Sequence, residues 1–232
     1  MSIDLESVNY KMLNDYARKY HYMHRAVHHR SCPFGYLVNY DGQTIMPDGV
    51  PAGFIMFASI HFTRKAGLFG YADLPTKWQV LSLARLWLHP DLQRGGRCYP
   101  GSLPGYVDRK GVFRSTLATD VIKLALRPGN DGMSRVGRDW LQVHPPRYPD
   151  EPYHIRIIIS YADKTHGHTG AIYRAAGFDQ LPDTISQRRH NGTRSNGFDN
   201  HTLATYVMRL PEPEVTPIGF QLGMRFMDGR YE

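Results

Sequence analysis

The sequence HIRIIISYADKTHGHTGAIYRAAGF, residues 154–178, decides the fold. Its apolar, β-branched beginning predicts a buried strand over residues 154–160. A turn rich in Gly and His follows, and residues 170–176 are predicted to form a short helix. Gly177 then stands just after the helix, where a positive φ is needed and a side chain is unfavourable. A buried strand that leads through a turn into a helix is typical of α/β proteins.

The flanking sequence supplies the remaining strands and helices. Apolar residues at helical spacing predict a helix over residues 7–25, and Ser115 is the predicted N-cap of a second helix over 115–126. Residues 127–153 are rich in Pro, Gly and polar residues and are predicted to be irregular. Strands are predicted over residues 34–40, 52–63, 79–88 and 203–209, with a half-buried alternation in 52–63. We therefore expect an α/β fold with a central mixed, largely antiparallel sheet flanked by helices.

The composition excludes several classes of protein. The chain has 232 residues and a formal net charge of +7, and 21 of its 28 basic residues are Arg. No apolar run is long enough to cross a bilayer, and the N-terminus lacks the layout of a signal peptide, so no membrane partner is expected. With only Cys32 and Cys98, neither a disulfide framework nor a Cys-based zinc site is expected. The Arg excess favours nucleic-acid contact, although a solvated Arg-rich surface explains the same numbers.

Residues 172–178, IYRAAGF, resemble the Y-x-x-x-G-F signature of GNAT-fold acyltransferases. The strand that ends at Pro90, the Gly/Arg loop after it and the helix after residue 115 stand in the order of that fold's donor-binding segments. The resemblance implies a catalytic domain over residues 1–210, with residues 211–232 as a C-terminal extension. It also implies that the phosphates of an acyl-CoA donor are held at a helix N-terminus and by nearby arginines, here Arg94, Arg97, Arg114, Ser115 and Thr116.

The loop between this strand and helix departs from the GNAT pattern. About twenty residues intervene between the loop and the helix, and Cys98 stands where the family has its final Gly. The departure is consistent with a non-standard donor, so an acyl-CoA and a glycyl donor both stay open. Either donor is a small molecule or is borne on a carrier.

A second resemblance extends over about residues 10–209. Residues 19–25 (KYHYMHR), 85–87 (RLW) and 160–163 (SYAD), together with GHTGAIYRAAGF, are similar to the Mom family of DNA-modification proteins of Mu-like phages. The resemblance implies double-stranded DNA as partner and the conversion of adenine to N6-carbamoylmethyladenine. It further implies protection of phage DNA against host restriction and a location in the cytoplasm of the host bacterial cell.

Asp163 is the first candidate for the chemistry. It stands at the carboxyl end of the predicted buried strand, where working groups collect in open α/β sheets, and a carboxylate there accepts a proton from an exocyclic amine. An Asx cap on the following turn is the alternative. By resemblance to GNAT enzymes, Tyr173 protonates the leaving group, although core packing explains a helical Tyr equally well. Tyr161 faces either the same site or the opposite layer.

A cluster of His, Tyr and Arg follows the first predicted helix. If this helix continues, His21, His24 and His28 lie on one face, and His21 and His24 become candidate ligands for iron or zinc. Alternatively, the cluster faces the substrate, with Tyr22 stacked on a base and Arg25 at a phosphate. The spacing alone does not decide between a metal site and a nucleic-acid contact.

Residues 187–194, QRRHNGTR, form a basic segment before the last predicted strand. Arg188, Arg189 and Arg194 are candidates for contact with the DNA backbone, and an ordinary solvated loop is the alternative.

The leading hypothesis is thus a DNA adenine N6-modifying enzyme with a GNAT-like fold. An acetyl-CoA-dependent N-acetyltransferase for a protein or small amine, and a non-catalytic DNA-binding protein, are the alternatives. The sequence leaves the oligomeric state and the preferred DNA sequence open.

Overall fold

The structure, a computed structural model, describes residues 2–28, 33–59, 79–94, 105–107, 109–111, 113–143, 154–164, 167–181 and 203–211. The strands are β1 (Ile3–Ser7), β2 (Phe34–Tyr40), β3 (Gly53–Ser59), β4 (Val80–Leu88), β5 (Gly105–Val107), β6 (Phe113–Ser115), β7 (Ile157–Asp163), β8 (Asp179–Gln180) and β9 (Leu203–Arg209). The helices are α1 (Tyr10–Tyr20), α2 (Pro90–Arg94), α3 (Leu117–Leu126), α4 (Arg135–Val143) and α5 (Ala171–Ala175). None of the described helices is long and apolar enough to span a membrane.

Seven of the strands form one mixed sheet in the order β1-β2-β3-β4-β7-β9-β8. Every neighbouring pair is antiparallel except β4 and β7, which run parallel. The remaining two strands, β5 and β6, form a separate antiparallel hairpin. The sheet is flanked by helices, so the prediction of an α/β fold with a largely antiparallel central sheet is confirmed.

The two parallel strands pair over only a short length. Their ladder runs from the pair Val80 and Ile157 to the pair Ser82 and Ile159. Beyond it, β4 continues along β3 to Leu88, and β7 continues along β9 to Asp163. The sheet therefore opens between the carboxyl ends of β4 and β7.

A β-bulge in β4 lies at the start of this opening. Arg85 pairs with Met56, but Leu83 pairs with Phe57, so Ala84 is an extra residue without a partner position on β3. A bulge bends its strand and turns the side chains that follow it. Here it changes the direction of β4 where β4 leaves β7.

The core has two layers, one on each face of the sheet. Phe54 and Met56 of β3 pack with Leu13 and Ala17 of α1 on one face. Ile55 and Phe57 pack on the other face, in the cluster that contains Val121 of α3 and Trp140 of α4. Because β3 is buried on both faces, the prediction that this strand is half-buried is wrong.

Several predicted boundaries are also wrong. The first helix ends at Tyr20, and His24 has a φ of +47°, so the helix does not continue through the His cluster. The helix α3 begins at Leu117, not at Ser115; Thr116 takes the cap position and makes no side-chain cap hydrogen bond. Ser115 ends β6, although its Oγ accepts a hydrogen bond of 3.2 Å from the Leu117 N–H.

The helix α4 lies inside residues 127–153, which were predicted to be irregular. Val136 and Trp140 are both fully buried and stand one helical turn apart, but the Pro- and Gly-rich sequence on either side hid this spacing. The strands β1, β5, β6 and β8 were missed as well, because each is short. The described residues end at 211, so the predicted extension lies outside them from residue 212 onward.

Candidate active site

A cleft of about 1200 Å³ lies where β4 and β7 separate. Most of its wall comes from the end of α1 with the residues after it, the outer half of β4, the end of β7, and α5 with the turn before it. Single residues of α2, α3 and β9 complete it: Gln93, Ala118 and Leu203. The side chains that could take part in chemistry or binding are Tyr20, His21, Tyr22, Arg25, Arg85, Trp87, Gln93, Tyr161, Asp163, His168 and Tyr173.

Asp163 is the last residue of β7 and is only 2% exposed, yet it lines the cleft. Its main-chain carbonyl accepts a hydrogen bond of 3.0 Å from the His168 N–H, which closes the turn after the strand. Tyr161 stands two residues earlier and therefore on the same face of β7, and it also lines the cleft. Tyr161 therefore faces the same site as Asp163 and not the opposite layer of the sheet.

The ring of Tyr173 packs against the core, as one of its two interpretations predicts, and Tyr173 also lines the cleft. Its ring packs against Tyr206 and Phe178, with ring centroids 5.2 and 5.7 Å away. Its hydroxyl donates a hydrogen bond of 3.5 Å to the Tyr161 carbonyl, at the open edge of β7. Burial raises the pKa of Tyr173, and a hydrogen bond with Ser160 opposes this rise. The phenol therefore keeps its proton at neutral pH.

Tyr22 lies at the rim of the cleft between two His rings. The ring centroid of Tyr22 is 4.4 Å from that of His21 and 4.7 Å from that of His168. Burial and, to a smaller extent, the charges of Asp163 and Tyr173 raise the pKa of Tyr22 to about 12, and Arg85 opposes this rise. Tyr22, Asp163 and Tyr173 all line this cleft, so the structure brings these three predicted residues together at one site.

His21 is buried as a neutral ring. Burial, together with the charges of Arg85, His168 and His24, lowers the pKa of His21 to about 3. Its Nδ1 accepts a hydrogen bond of 3.2 Å from the Met23 N–H, so the hydrogen of the neutral ring is on Nε2. The Nε2–H is therefore the hydrogen-bond donor of this ring.

The residues of the predicted metal site do not share a helix face. Because α1 ends at Tyr20, the expected alignment of His21, His24 and His28 is absent, and Nδ1 of His24 instead lies 3.0 Å from the Arg18 carbonyl oxygen. In the part of the chain that the structure describes, no group of three His, Cys, Asp or Glu residues is placed to hold a metal ion. The described residues therefore do not fit an iron or zinc ion.

Asn14 holds the segment that carries Tyr22 and Arg25. This role of Asn14 was not predicted from the sequence. Its Nδ2 donates a hydrogen bond of 3.0 Å to the Val27 carbonyl, and its Oδ1 accepts one of 2.8 Å from the Val27 N–H. Asn14 is buried in α1, so these two bonds fix residues 21–27 against the helix. An Asn at an apolar position of the helical pattern was the available signal.

Arg85 and Trp87 also line the cleft, and neither was predicted as a site residue, although both belong to the RLW segment that resembles the Mom family. Trp87 stacks with Tyr20 and Phe54, at ring-centroid distances of 5.2 and 5.7 Å, and forms an aromatic wall of the cleft. Arg85 extends into the same cleft from the bulged part of β4. The signal for Arg85 was a charged residue inside an otherwise apolar strand.

The residues predicted to hold donor phosphates are only partly described. Arg94 ends α2 and its side chain is outside the described part, as is the whole of Arg97. The Thr116 hydroxyl donates a hydrogen bond of 2.8 Å to Asp120, whereas Ala118 in the first turn of α3 lines the cleft. Arg114 is exposed on the β5–β6 hairpin. The predicted DNA contacts Arg188, Arg189 and Arg194 lie outside the described residues.

The architecture is similar to that of solved acetyltransferases. Arabidopsis thaliana NAA60 in complex with acetyl-CoA aligns with a TM-score of 0.50 at 9% identity, over 90% of this chain and 99% of that chain. The chain has a GNAT acetyltransferase fold. A probable GNAT-family acetyltransferase from Chromobacterium violaceum aligns with a TM-score of 0.43 at 10% identity, over 90% of this chain and 88% of that one. The putative acetyltransferase yncA of Salmonella typhimurium, with acetyl-CoA, aligns with a TM-score of 0.42 at 8% identity, over 93% and 98% of the two chains.

No family model matches the sequence, and no curated protein matches it. The GNAT fold therefore rests on the architecture of the sheet and its helices. In that architecture, the cleft between β4 and β7 brings together a buried Asp, a protonated phenol and aromatic walls.

Proposed function

We propose that this protein is an acyltransferase-type enzyme that modifies the N6 amine of adenine in double-stranded DNA. The observation that carries the proposal is Asp163, a buried carboxylate beside Tyr22 and Tyr173 in the cleft of a GNAT fold. The resemblance of residues 10–209 to the Mom family of phage DNA-modification proteins supplies the acceptor. The net charge of +7 is consistent with a polyanionic partner.

The cleft suits an extruded base. An enzyme cannot reach N6 of adenine for chemistry inside a base-paired stack, so the target nucleotide must be flipped into a pocket. The volume of about 1200 Å³ has room for a nucleotide and an acyl group together. Tyr22 and Trp87 offer aromatic faces on which a base can stack.

Asp163 and Tyr173 would divide the proton transfers of the reaction. The N6 lone pair is delocalised into the ring, so the amine needs close positioning and loss of a proton as it attacks. An acyl donor bound in the cleft would supply an activated carbonyl carbon. As the bond from N6 to this carbon forms, Asp163 accepts the N6 proton, and as the bond to the leaving atom breaks, Tyr173 donates its phenolic proton to that atom.

The donor is acyl-CoA or a glycyl donor, and the two differ in what they require afterwards. A glycyl group on N6 is an isomer of the carbamoylmethyl group that the Mom resemblance implies, so a rearrangement needs no further atoms. An acetyl group lacks the nitrogen and is more reduced, so it requires both a nitrogen source and an oxidant. The glycyl route therefore needs fewer partners for the same product.

An acetyl-CoA-dependent N-acetyltransferase for a protein or small amine is the second candidate. The observation in its favour is the alignment with NAA60 in complex with acetyl-CoA over 90% of this chain. This candidate uses the same cleft and the same two proton-transfer residues, and it differs in the acceptor.

Nucleoside mass spectrometry separates the two candidates. DNA and total protein are analysed from cells that express the wild-type chain, in cultures that receive isotope-labelled glycine or labelled acetate in turn. We expect a modified adenine that carries the label of the donor. Unmodified DNA together with newly acetylated protein or amine would reject the DNA acceptor in favour of the second candidate. A variant with Asp15→Asn, on the exposed face of α1, is the matched control for variants of Asp163.

A further inference from the structure

Arg85 introduces a positive charge into the wall of the cleft. It lies in the bulged part of β4, and apolar residues of β4, Leu83 and Leu88, are buried on either side of it along the strand. Its guanidinium is largely removed from water, and this burial lowers the pKa of Arg85. A charge in such a place is unfavourable unless it is paired.

The hydrogen bonds of Arg85 are incomplete. Nη1 donates a hydrogen bond of 2.6 Å to the Ala84 carbonyl, whereas Nε is buried and has no hydrogen-bond partner. No carboxylate of the described residues forms an ion pair with this guanidinium. Because unmet donors on a buried cation cost free energy, an anionic acceptor would stabilise Arg85 strongly.

The groups around Arg85 also favour an anion. Arg25 adds a second positive charge that acts on Arg85, and His21 beside them is a neutral ring with an Nε2–H donor. Asp163 lies on the other strand of the opening, and Tyr22 is influenced by the charges of both Asp163 and Arg85. The cleft thus has a cationic side formed by Arg85 of β4 and Arg25 of the segment after α1, and an acidic side formed by Asp163 at the end of β7.

We propose that Arg85 binds a phosphate or carboxylate group of the acceptor molecule and so directs the acceptor's amine toward Asp163. The acceptor class is therefore an amine that also carries an anionic oxygen group, and polycationic amines are disfavoured by Arg85 and Arg25. Identification of this group as the phosphodiester beside the target adenine rests on the proposed function. The anion contact itself does not.

The test compares binding of four probes to three variants. Inorganic phosphate and acetate distinguish the two sources of the anion, and dAMP and deoxyadenosine show whether a phosphate adds affinity to adenine. The variants are Arg85→Met, which keeps the length of the chain without its charge, Arg85→Lys, and Arg18→Met as an exposed control outside the cleft. Calorimetry gives the affinities.

We expect wild-type protein and the Arg18→Met variant to bind dAMP about tenfold more tightly than deoxyadenosine. Arg85→Met should lose this preference while its affinity for deoxyadenosine stays the same, and Arg85→Lys should keep only part of it because an ammonium cannot offer a planar fork. The melting temperature of Arg85→Met without ligand should be unchanged or higher, since an unpaired buried charge is removed.

Two results overturn the inference. In the first, the Arg85→Met variant binds phosphate or acetate as tightly as the wild type does. In the second, the wild type binds neither anion and binds dAMP no more tightly than deoxyadenosine. A separate outcome concerns the proposed function: if anions bind through Arg85 but adenine adds no affinity, the anion contact stands and the adenine acceptor is rejected. Conversely, cells can contain modified adenine while the affinity for dAMP does not depend on Arg85. This result rejects the anion contact and leaves the proposed function standing.

Discussion

Asp163 and Tyr173 share one cleft but suit opposite proton transfers. Asp163, 2% exposed at the end of a strand, is the proposed proton acceptor, whereas burial raises the pKa of Tyr173 and keeps its phenol protonated. Groups that differ in this way can act as base and acid at the same pH. The sequence indicated both residues, because their positions at a strand end and before a helix-ending Gly are local features. The incomplete hydrogen bonding of Arg85 is a tertiary feature, and the sequence could not reveal it.

The variant Tyr173→Phe tests the proposed role of Tyr173 as the proton donor to the leaving group. It removes one oxygen and keeps the ring that packs on Tyr206 and Phe178, so the fold should persist while kcat falls about 100-fold or more. Steady-state kinetics with two donors makes the test specific. The loss should shrink with a donor whose leaving group needs no proton, and an equal loss with both donors would contradict the acid role. Tyr36→Phe, a buried Tyr bonded to Asp139 outside the cleft, is the control.

The buried ring of His21 predicts a dependence of stability on pH. Burial lowers the pKa of His21 from the ordinary 6.5 to about 3, so between these values the unfolded chain binds a proton that the folded chain excludes. The neutral buried ring therefore contributes to the free energy of unfolding above pH 6.5, and this contribution is lost as the pH falls toward 3. Between pH 7 and pH 5 the free energy of unfolding should fall by about 2 kcal/mol from this group.

Urea unfolding of the wild type and of His21→Gln at pH 7 and pH 5 measures this contribution. The variant should lose less stability on acidification than the wild type, whereas His24→Gln, at an exposed position, should behave like the wild type. An identical loss in the wild type and in His21→Gln would contradict the buried neutral ring.

At the scale of elements, the opening between β4 and β7 creates the site. The sequence predicted β2 and β9 with their observed bounds and β4 to within one residue, because apolar runs bounded by turn residues mark strands locally. It could not show that the parallel ladder has only three residue pairs, since strand pairing depends on distant residues. The end of α1 likewise depends on the contacts of the segment after it, so the predicted helix over residues 7–25 was too long.

The variant Asn14→Ala tests how the segment after α1 is held. Loss of the two hydrogen bonds to Val27 leaves buried backbone groups without partners, which should lower the free energy of unfolding by about 2 kcal/mol. Because Tyr22 and Arg25 lie on this segment, activity per folded molecule should fall as well. Asn9→Ala, which removes a cap bond to Lys11 at the start of the same helix, should lower stability and spare activity. Equal effects of the two variants on activity would contradict the role given to Asn14.

At the scale of the whole molecule, charge and architecture act together. The fold was predictable because the segment around β7 and α5 combines a strand, a turn and a Gly177 with a φ of +97°. The helix α4 was not, because its apolar spacing is short and lies among Pro and Gly residues. The proposed DNA contact draws on the net charge of +7, to which a basic segment outside the described residues contributes.

Replacement of Arg188, Arg189 and Arg194 by Ala tests that contact. Each arginine that neutralises a phosphate releases a counterion, so the slope of log affinity against log salt concentration should become shallower by up to about 3 in the triple variant. Fluorescence anisotropy with a labelled duplex at several salt concentrations measures the slope. A triple replacement of Lys11, Arg18 and Lys19 on α1 is the control of equal charge, and an unchanged slope in the first variant would reject the basic segment as a DNA contact.

The most direct measurement of the central claim is the amount of modified adenine in DNA from cells that express Asp163→Asn, set against wild type and Asp15→Asn at equal levels of folded protein. An amide keeps the shape of the side chain but cannot accept the N6 proton. We predict modified adenine with the wild type and with Asp15→Asn, none with Asp163→Asn, and closely similar melting temperatures for all three. Full modification by Asp163→Asn would contradict the account.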